Sequence, residues 1–302
     1  MKKIISIFFL LMANFIFGEE KIKIGVTLQP YYSFVSNVVK EKGEVVPTVR
    51  LDIYDSHNYQ PKAEDIQNFD NLDILVVNGI GHDEFIFDIL NSSKNKDKIK
   101  VIYANKDIPL MPVSGTLGNE KVLNPHTFIS ITSAIQQVYN IAKELGNYDP
   151  ANKKYYLDNA RAYAQKLRKL KTDALKEISD YQAVDFRVAT LHGGYDYLFS
   201  EFGIEVKAVI EPFHGVQPSA ADIEKVIKKI KDEKIQVIFG EKAFDSKVVN
   251  MINKETGVKV MYLSHLTNGG YTQEGFEEFI KINLDEIVKG IQTSNLKKGK
   301  VK

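Results

Sequence analysis

Four of the six histidines fall in short polar segments that follow apolar, strand-like runs: His57 in DSHNYQP, His126 in NPHTF, His192 in TLHGGYDY and His265 in LSHLTNG. Imidazole is a borderline-soft ligand suited to zinc and neighbouring transition metals. Two of these residues lie in each half of the chain, so they meet only if two lobes face each other across a cleft. Glu241, which closes the run IQVIFGE, occupies the same kind of position and adds a carboxylate. A lone histidine after a strand is more often packed or solvated; joint placement is what argues for a metal-capture site. His82 in NGIGHDEF and His214 in EPFHGVQPS are weaker candidates, because solvation accounts for a histidine beside acidic, proline or glycine neighbours.

The surroundings of the three strongest positions suit ligands. His57 precedes Asn58, Tyr59, Gln60 and Pro61, and then a helix beginning near Lys62. His126 follows Asn124 and Pro125, ahead of a helical pattern that starts with Ser130. His192 is followed by Gly193 and Gly194, which allow close backbone approach, and by Tyr195 and Tyr197. A metal-bound imidazole needs an acceptor for its second N–H, from a nearby carbonyl or carboxylate.

The elements that must position these side chains repeat along the sequence. The runs KIKIGVT, VVPTVRL, DILVVNG and IKVIY in the first half, and FRVATLH, EVKAVIE, IQVIFGE and VKVMYLS in the second, suit strands covered on both faces. Helical stretches separate most of them; Ile223, Val226, Ile227 and Ile230 share one face, with Ser219 placed to cap. From Asp149 to Tyr181 the apolar residues Tyr156, Ala160, Tyr163, Leu167, Leu170, Ala174 and Ile178 recur without proline or glycine in the repeat. This spacing predicts one amphipathic helix of about 45 Å. The expected fold is α/β: two lobes, each with a four-stranded, mainly parallel sheet flanked by helices, joined by one long rigid helix. The expected divisions are a signal peptide over 1–18, an N-terminal metal-binding lobe over 19–148, the linking helix over 149–182 and a C-terminal metal-binding lobe over 183–302.

Composition narrows the function classes. With 40 basic and 39 acidic side chains in 302 residues, no charge bias argues for nucleic acid. Lys2 and Lys3 precede an apolar run from Ile4 to Phe17, and Gly18 supplies a small residue for cleavage, so an export signal is expected. The chain has no cysteine, which removes disulfides, thiolate ligands and the lipid-modified cysteine of tethered exported proteins. The expected product is free in a periplasm-like space and monomeric.

These motifs, in order, resemble the zinc/manganese family of ABC-transporter solute-binding proteins, the ZnuA-like or cluster A-I group. The matching segments are DSHNYQP, VVNGIGHDEF, NPHTFIS, TLHGGYDYLF, GVQPSAADIEKVIKKIKDEKIQVIFGE and the closing GGYTQEGFEEFIKINLDEIVKGI. The resemblance implies that His57, His126 and His192 are metal ligands and that a membrane permease is the partner. It also departs from the family in two places. Ser264 stands where members often carry an aspartate ligand, which leaves His265, water or Glu241 for the fourth position. The stretch NKDIPLMPVSGTLGNEKVLNPH has no histidine before His126, whereas zinc-specific members often have a His/Asp-rich loop there.

Three or four imidazoles favour Zn2+, while more carboxylate favours Mn2+; manganese and iron remain open. The leading expectation is a non-enzymatic protein that captures the ion and passes it to the permease. The alternatives are a binder of a larger metal chelate, with Tyr195, Tyr197 and Phe213 lining a wider cleft, or a secreted zinc hydrolase with Glu241 as base. No HExxH pair supports the hydrolase, and core packing is the simpler account of the aromatics.

Overall fold

The computed structural model describes residues 21–49, 59–114, 123–211, 218–241, 247–267, 269–294 and 296–298. The proposed signal segment, His57 and the His214 loop lie outside these residues.

The apolar runs pair as two sheets of the same design. The first contains β1 (Ile22–Val26), β2 (Gly43–Pro47), β3 (Ile74–Val77) and β4 (Lys100–Tyr103), in the order β2-β1-β3-β4. The second contains β5 (Val188–His192), β6 (Val206–Glu211), β7 (Val237–Glu241) and β8 (Lys259–Leu263), in the order β6-β5-β7-β8. Every pairing among the described strands is parallel. All residues of β3, β5 and β7 are buried, as unbroken apolar runs covered on both faces should be. β2 starts earlier than the run VVPTVRL suggested and ends at Pro47, the last residue paired with β1.

Helices cover the sheets: α1 (Gln29–Val39), α2 (Ala63–Gln67), α3 (Phe85–Ser92), α4 (Ile131–Tyr148), α5 (Lys153–Glu177), α6 (Asp196–Ser200), α7 (Ala220–Asp232), α8 (Lys247–Thr256) and α9 (Gly275–Thr293). The caps follow side-chain chemistry. The Ser219 hydroxyl accepts from the Asp222 amide at 3.2 Å to start α7. Ser130 does the same for Ser133 at 3.2 Å to start α4. The long helix α5 is shorter at both ends than the expected segment from Asp149 to Tyr181. A 3-10 turn over Pro150–Asn152, held by Asp149, precedes it, and it ends before Ile178. At 1.5 Å per residue, its 25 residues span about 37 Å.

One buried core runs through both lobes. Phe34 of α1 meets Phe276 of α9 edge-on with ring centroids 4.7 Å apart, and Tyr163 of α5 lies 6.5 Å from Phe34. Polar straps reinforce the contact. Ser33 donates to the Thr272 carbonyl at 2.8 Å and accepts from the Phe276 amide at 3.0 Å. Asn37 donates to the Gln273 carbonyl at 2.8 Å. The segment that follows β8 is therefore tied to a helix of the opposite lobe.

Candidate metal centre

In open parallel sheets, ligands bind beyond the carboxyl ends of the strands, where strand order reverses. Both sheets aim those ends at the junction between the lobes. His82 follows β3, His126 lies beyond β4, His192 is the last residue of β5, Glu241 is the last of β7, and His265 follows β8.

The four described histidines at these positions converge. The ligating atoms of His82, His126 and His265 all lie within 4.8 Å of one another. His126 Nε2 and His192 Nε2 face each other at 3.0 Å, with ring planes 82° apart. Two nitrogens bound at 2.0–2.1 Å to a tetrahedral ion would be about 3.3 Å apart, so this pair, at hydrogen-bond distance, would open by only about 0.3 Å to hold one metal. The His192 and His265 centroids are 5.5 Å apart, and those of His82 and His265 are 5.8 Å apart with ring planes at 28°. All four side chains are buried, none more than 5% exposed.

Local structure explains each orientation. After β3 the chain turns through Gly79 and Gly81, both at positive φ (70° and 106°), a conformation that glycine adopts without Cβ strain. Asp83 pins this turn: its carboxylate accepts from Thr27 Oγ1 at 2.5 Å, Asn78 N at 2.6 Å and Gly79 N at 2.8 Å. Burial pushes the Asp83 carboxyl up from its ordinary range, partly offset by these bonds. With Asp83 turned inward to the backbone, His82 packs edge-on against Phe128 and His126, centroids 5.0 Å away in each case.

His126 is fixed by Asn124, whose Oδ1 accepts from the His126 ring Nδ1 at 2.8 Å and from its backbone N at 3.0 Å. That leaves Nε2 for the cleft. Gly194 packs so closely on the paired rings that a Cβ there would lie 3.1 Å from His192 Cδ2 and 3.2 Å from His126 Cγ. His265 Nδ1 lies 2.9 Å from Thr267 Oγ1, which directs its Nε2 inward. Ser264 is clamped through its backbone by Asn283 at 2.6 and 2.8 Å.

Glu241 is buried, and its Oε1 accepts from the Tyr195 hydroxyl at 3.1 Å. Burial, and then the Glu241 charge, hold the Tyr195 phenol well above its ordinary range. The Tyr195 ring stands edge-on to His265 at 6.4 Å, so Glu241 sits behind the imidazoles by way of this tyrosine. Tyr195 and Tyr197 are both buried; Phe213 lies outside the described residues.

Of the sequence candidates, the structure brings together His126, His192 and His265, and it adds His82, whose acidic neighbours suggest solvation. The overlooked signal was positional: His82 follows a central strand in the same way as the others, on a two-glycine turn.

Two α/β lobes sharing one core, with imidazoles from both meeting at the strand ends, define a metal-binding substrate-binding protein of an ABC transporter. The family model for ZnuA, "Zinc-uptake complex component A periplasmic", matches residues 24–290, and the chain belongs to this family. Its relatives are transport components rather than enzymes. The chain is 27% identical to the high-affinity zinc uptake system protein ZnuA of Bacillus subtilis, over 89% of this chain and 87% of that protein. It is 25% identical to the manganese ABC transporter substrate-binding lipoprotein PsaA of Streptococcus pneumoniae, over 96% and 99%. Among solved structures, the substrate-binding protein FpvC of Pseudomonas aeruginosa in complex with Ni2+ superposes with a TM-score of 0.85. The two are 48% identical, over 92% of this chain and 99% of that one. FpvC has also been solved in complex with Mn2+.

Proposed function

We propose that the protein captures one Zn2+ ion in the inter-lobe cleft and delivers it, from the periplasm, to an ABC permease in the membrane. His126 and His192 hold the ion from opposite lobes, with His265 and His82 beside them. His57, by its resemblance to the family motif, is a further candidate ligand. Glu241, the alternative to His265, is buried and bonded to Tyr195. The observation that carries this reading is the 3.0 Å approach of the His126 and His192 nitrogens, each from a different sheet. An imidazole set favours zinc among commonly available ions, whereas manganese prefers carboxylate oxygen.

The relationship to FpvC, solved with Ni2+ and with Mn2+, supports a second reading in which the physiological ion is one of these. Elemental analysis of the exported protein, followed by competition titration with Zn2+, Ni2+, Mn2+ and Fe2+, separates the two. One zinc per chain, retained against the other ions, is the expected result. Preferential retention of manganese or nickel would replace zinc, and no stoichiometric metal at all would overturn capture itself.

A further inference from the structure

Asn124 has no exposed surface, and its side-chain amide is engaged at both ends. Its oxygen takes both the ring Nδ1 and the backbone N of His126, at 2.8 and 3.0 Å. Its Nδ2 donates across the lobe junction, to the Gly193 carbonyl at 2.7 Å and to Asp196 Oδ2 at 2.9 Å. Gly193 is the residue after His192. Asp196 is itself buried and also accepts from the Ser114 amide at 3.3 Å. One amide thus sets the ring orientation of a ligand in the first lobe and grips the loop bearing a ligand of the second.

Resting on the metal-capture reading, we propose that Asn124 and Asp196 are positioning residues for the bound ion. The order is carboxylate, amide, imidazole. Asp196 fixes which end of the Asn124 amide faces His126, because only the NH2 end can donate to a carboxylate. The amide oxygen then requires an N–H at His126 Nδ1, so the Nε2 lone pair is presented to the metal. The same amide, through Gly193, sets the distance between the His126 and His192 nitrogens. Metal affinity is therefore coupled to lobe register by a group that never touches the ion.

The test compares four full-length exported proteins by zinc competition with a chromophoric chelator. Thermal unfolding of the metal-free forms and 15N spectra of selectively labelled histidine accompany it. Asn124→Ala is expected to weaken zinc binding about 10–100-fold, the usual cost of losing a support of a metal-bound histidine. It should also mix the His126 tautomers. The conservative variant Asp196→Asn keeps Asn124 intact and offers an amide oxygen that can still accept from Asn124 Nδ2 and the Ser114 amide. It is expected to bind within about threefold of wild type, with the Nδ1–H tautomer retained. Tyr197→Phe is the control: it removes hydroxyl bonds to the Asn124 carbonyl and the Met111 amide, at 2.9 Å each, without touching His126.

Wild-type affinity in Asn124→Ala would overturn the proposal while leaving metal capture intact. Equal weakening in Tyr197→Phe and Asn124→Ala would also overturn it, because general lobe packing would then be the cause. A loss in Asp196→Asn as large as in Asn124→Ala, with an unchanged melting temperature, would do the same, because the acceptor at position 196 would then not be what matters. If wild type itself binds no zinc, it is the zinc-capture reading that falls.

Discussion

At the scale of single residues, the centre depends on what holds each imidazole more than on the imidazoles themselves. His82 is the clearest case. Its neighbours Asp83 and Glu84 suggest a solvated turn, yet the Asp83 carboxylate faces inward to Thr27, Asn78 and Gly79, and His82 is buried against Phe128 and His126. Histidine is also large enough to serve there as packing alone. His82→Phe separates the two roles, because it retains a ring against Phe128 and removes the nitrogen. The expected outcome is a loss of zinc affinity greater than about tenfold, measured by chelator competition, with little change in the metal-free melting temperature. Undiminished affinity would make His82 a packing residue and leave the ion to His126, His192 and His265.

At the scale of elements, helix ends and strand ends carry the design. The joint between α4 and α5 turns on Asp149. Partial burial pushes its carboxyl up, but hydrogen bonds from Tyr156 Oη at 2.7 Å and Asn152 Nδ2 at 2.7 Å outweigh this, so its pKa is lowered in the fold. A carboxylate with a depressed folded pKa stabilises the fold fully above its unfolded pKa, ordinarily about 3.9 for aspartate. That contribution is lost as pH falls through the folded value. The melting-temperature advantage of wild type over Asp149→Asn should therefore be complete at neutral pH and shrink progressively in acid. A difference that stays constant across that range would mean the charge of Asp149 contributes nothing at this joint.

At the scale of the whole molecule, a core shared by both lobes leaves little room for hinge closure. Phe34, Tyr163 and Phe276, from α1, α5 and α9, pack together, and Ser33 and Asn37 tie α1 to the segment before α9. Metal capture should proceed with small local changes. Removing the bound metal with a chelator is expected to lower the melting temperature, because free ion at a hundred times Kd stabilises the native state by about 2.7 kcal/mol. The radius of gyration from small-angle scattering should move by less than about 1 Å, in line with pre-organised binding. A larger compaction on adding metal would show that the lobes hinge despite their common core.

Local physics made much of this legible in the sequence. Strands covered on both faces appear as unbroken Val/Ile/Leu runs, the helices as apolar residues at three- and four-residue steps, and the starts of α4 and α7 as Ser130 and Ser219. Export of the histidines to strand ends also followed from their positions, and the strand-end settings of His126, His192 and His265 can be read there too. The tertiary structure decided the rest. The inclusion of His82 depends on which way a two-glycine turn points, and that is set by contacts with Thr27 and Phe128, far away in the chain. The hydrogen bonds of Asn124 reach 69 and 72 residues along the sequence, to partners brought within range only when the lobes dock. Sequence periodicity encodes each lobe because it reflects neighbours three, four or two residues apart. The register between the lobes has no such period, and it is that register which sets the spacing of the metal ligands.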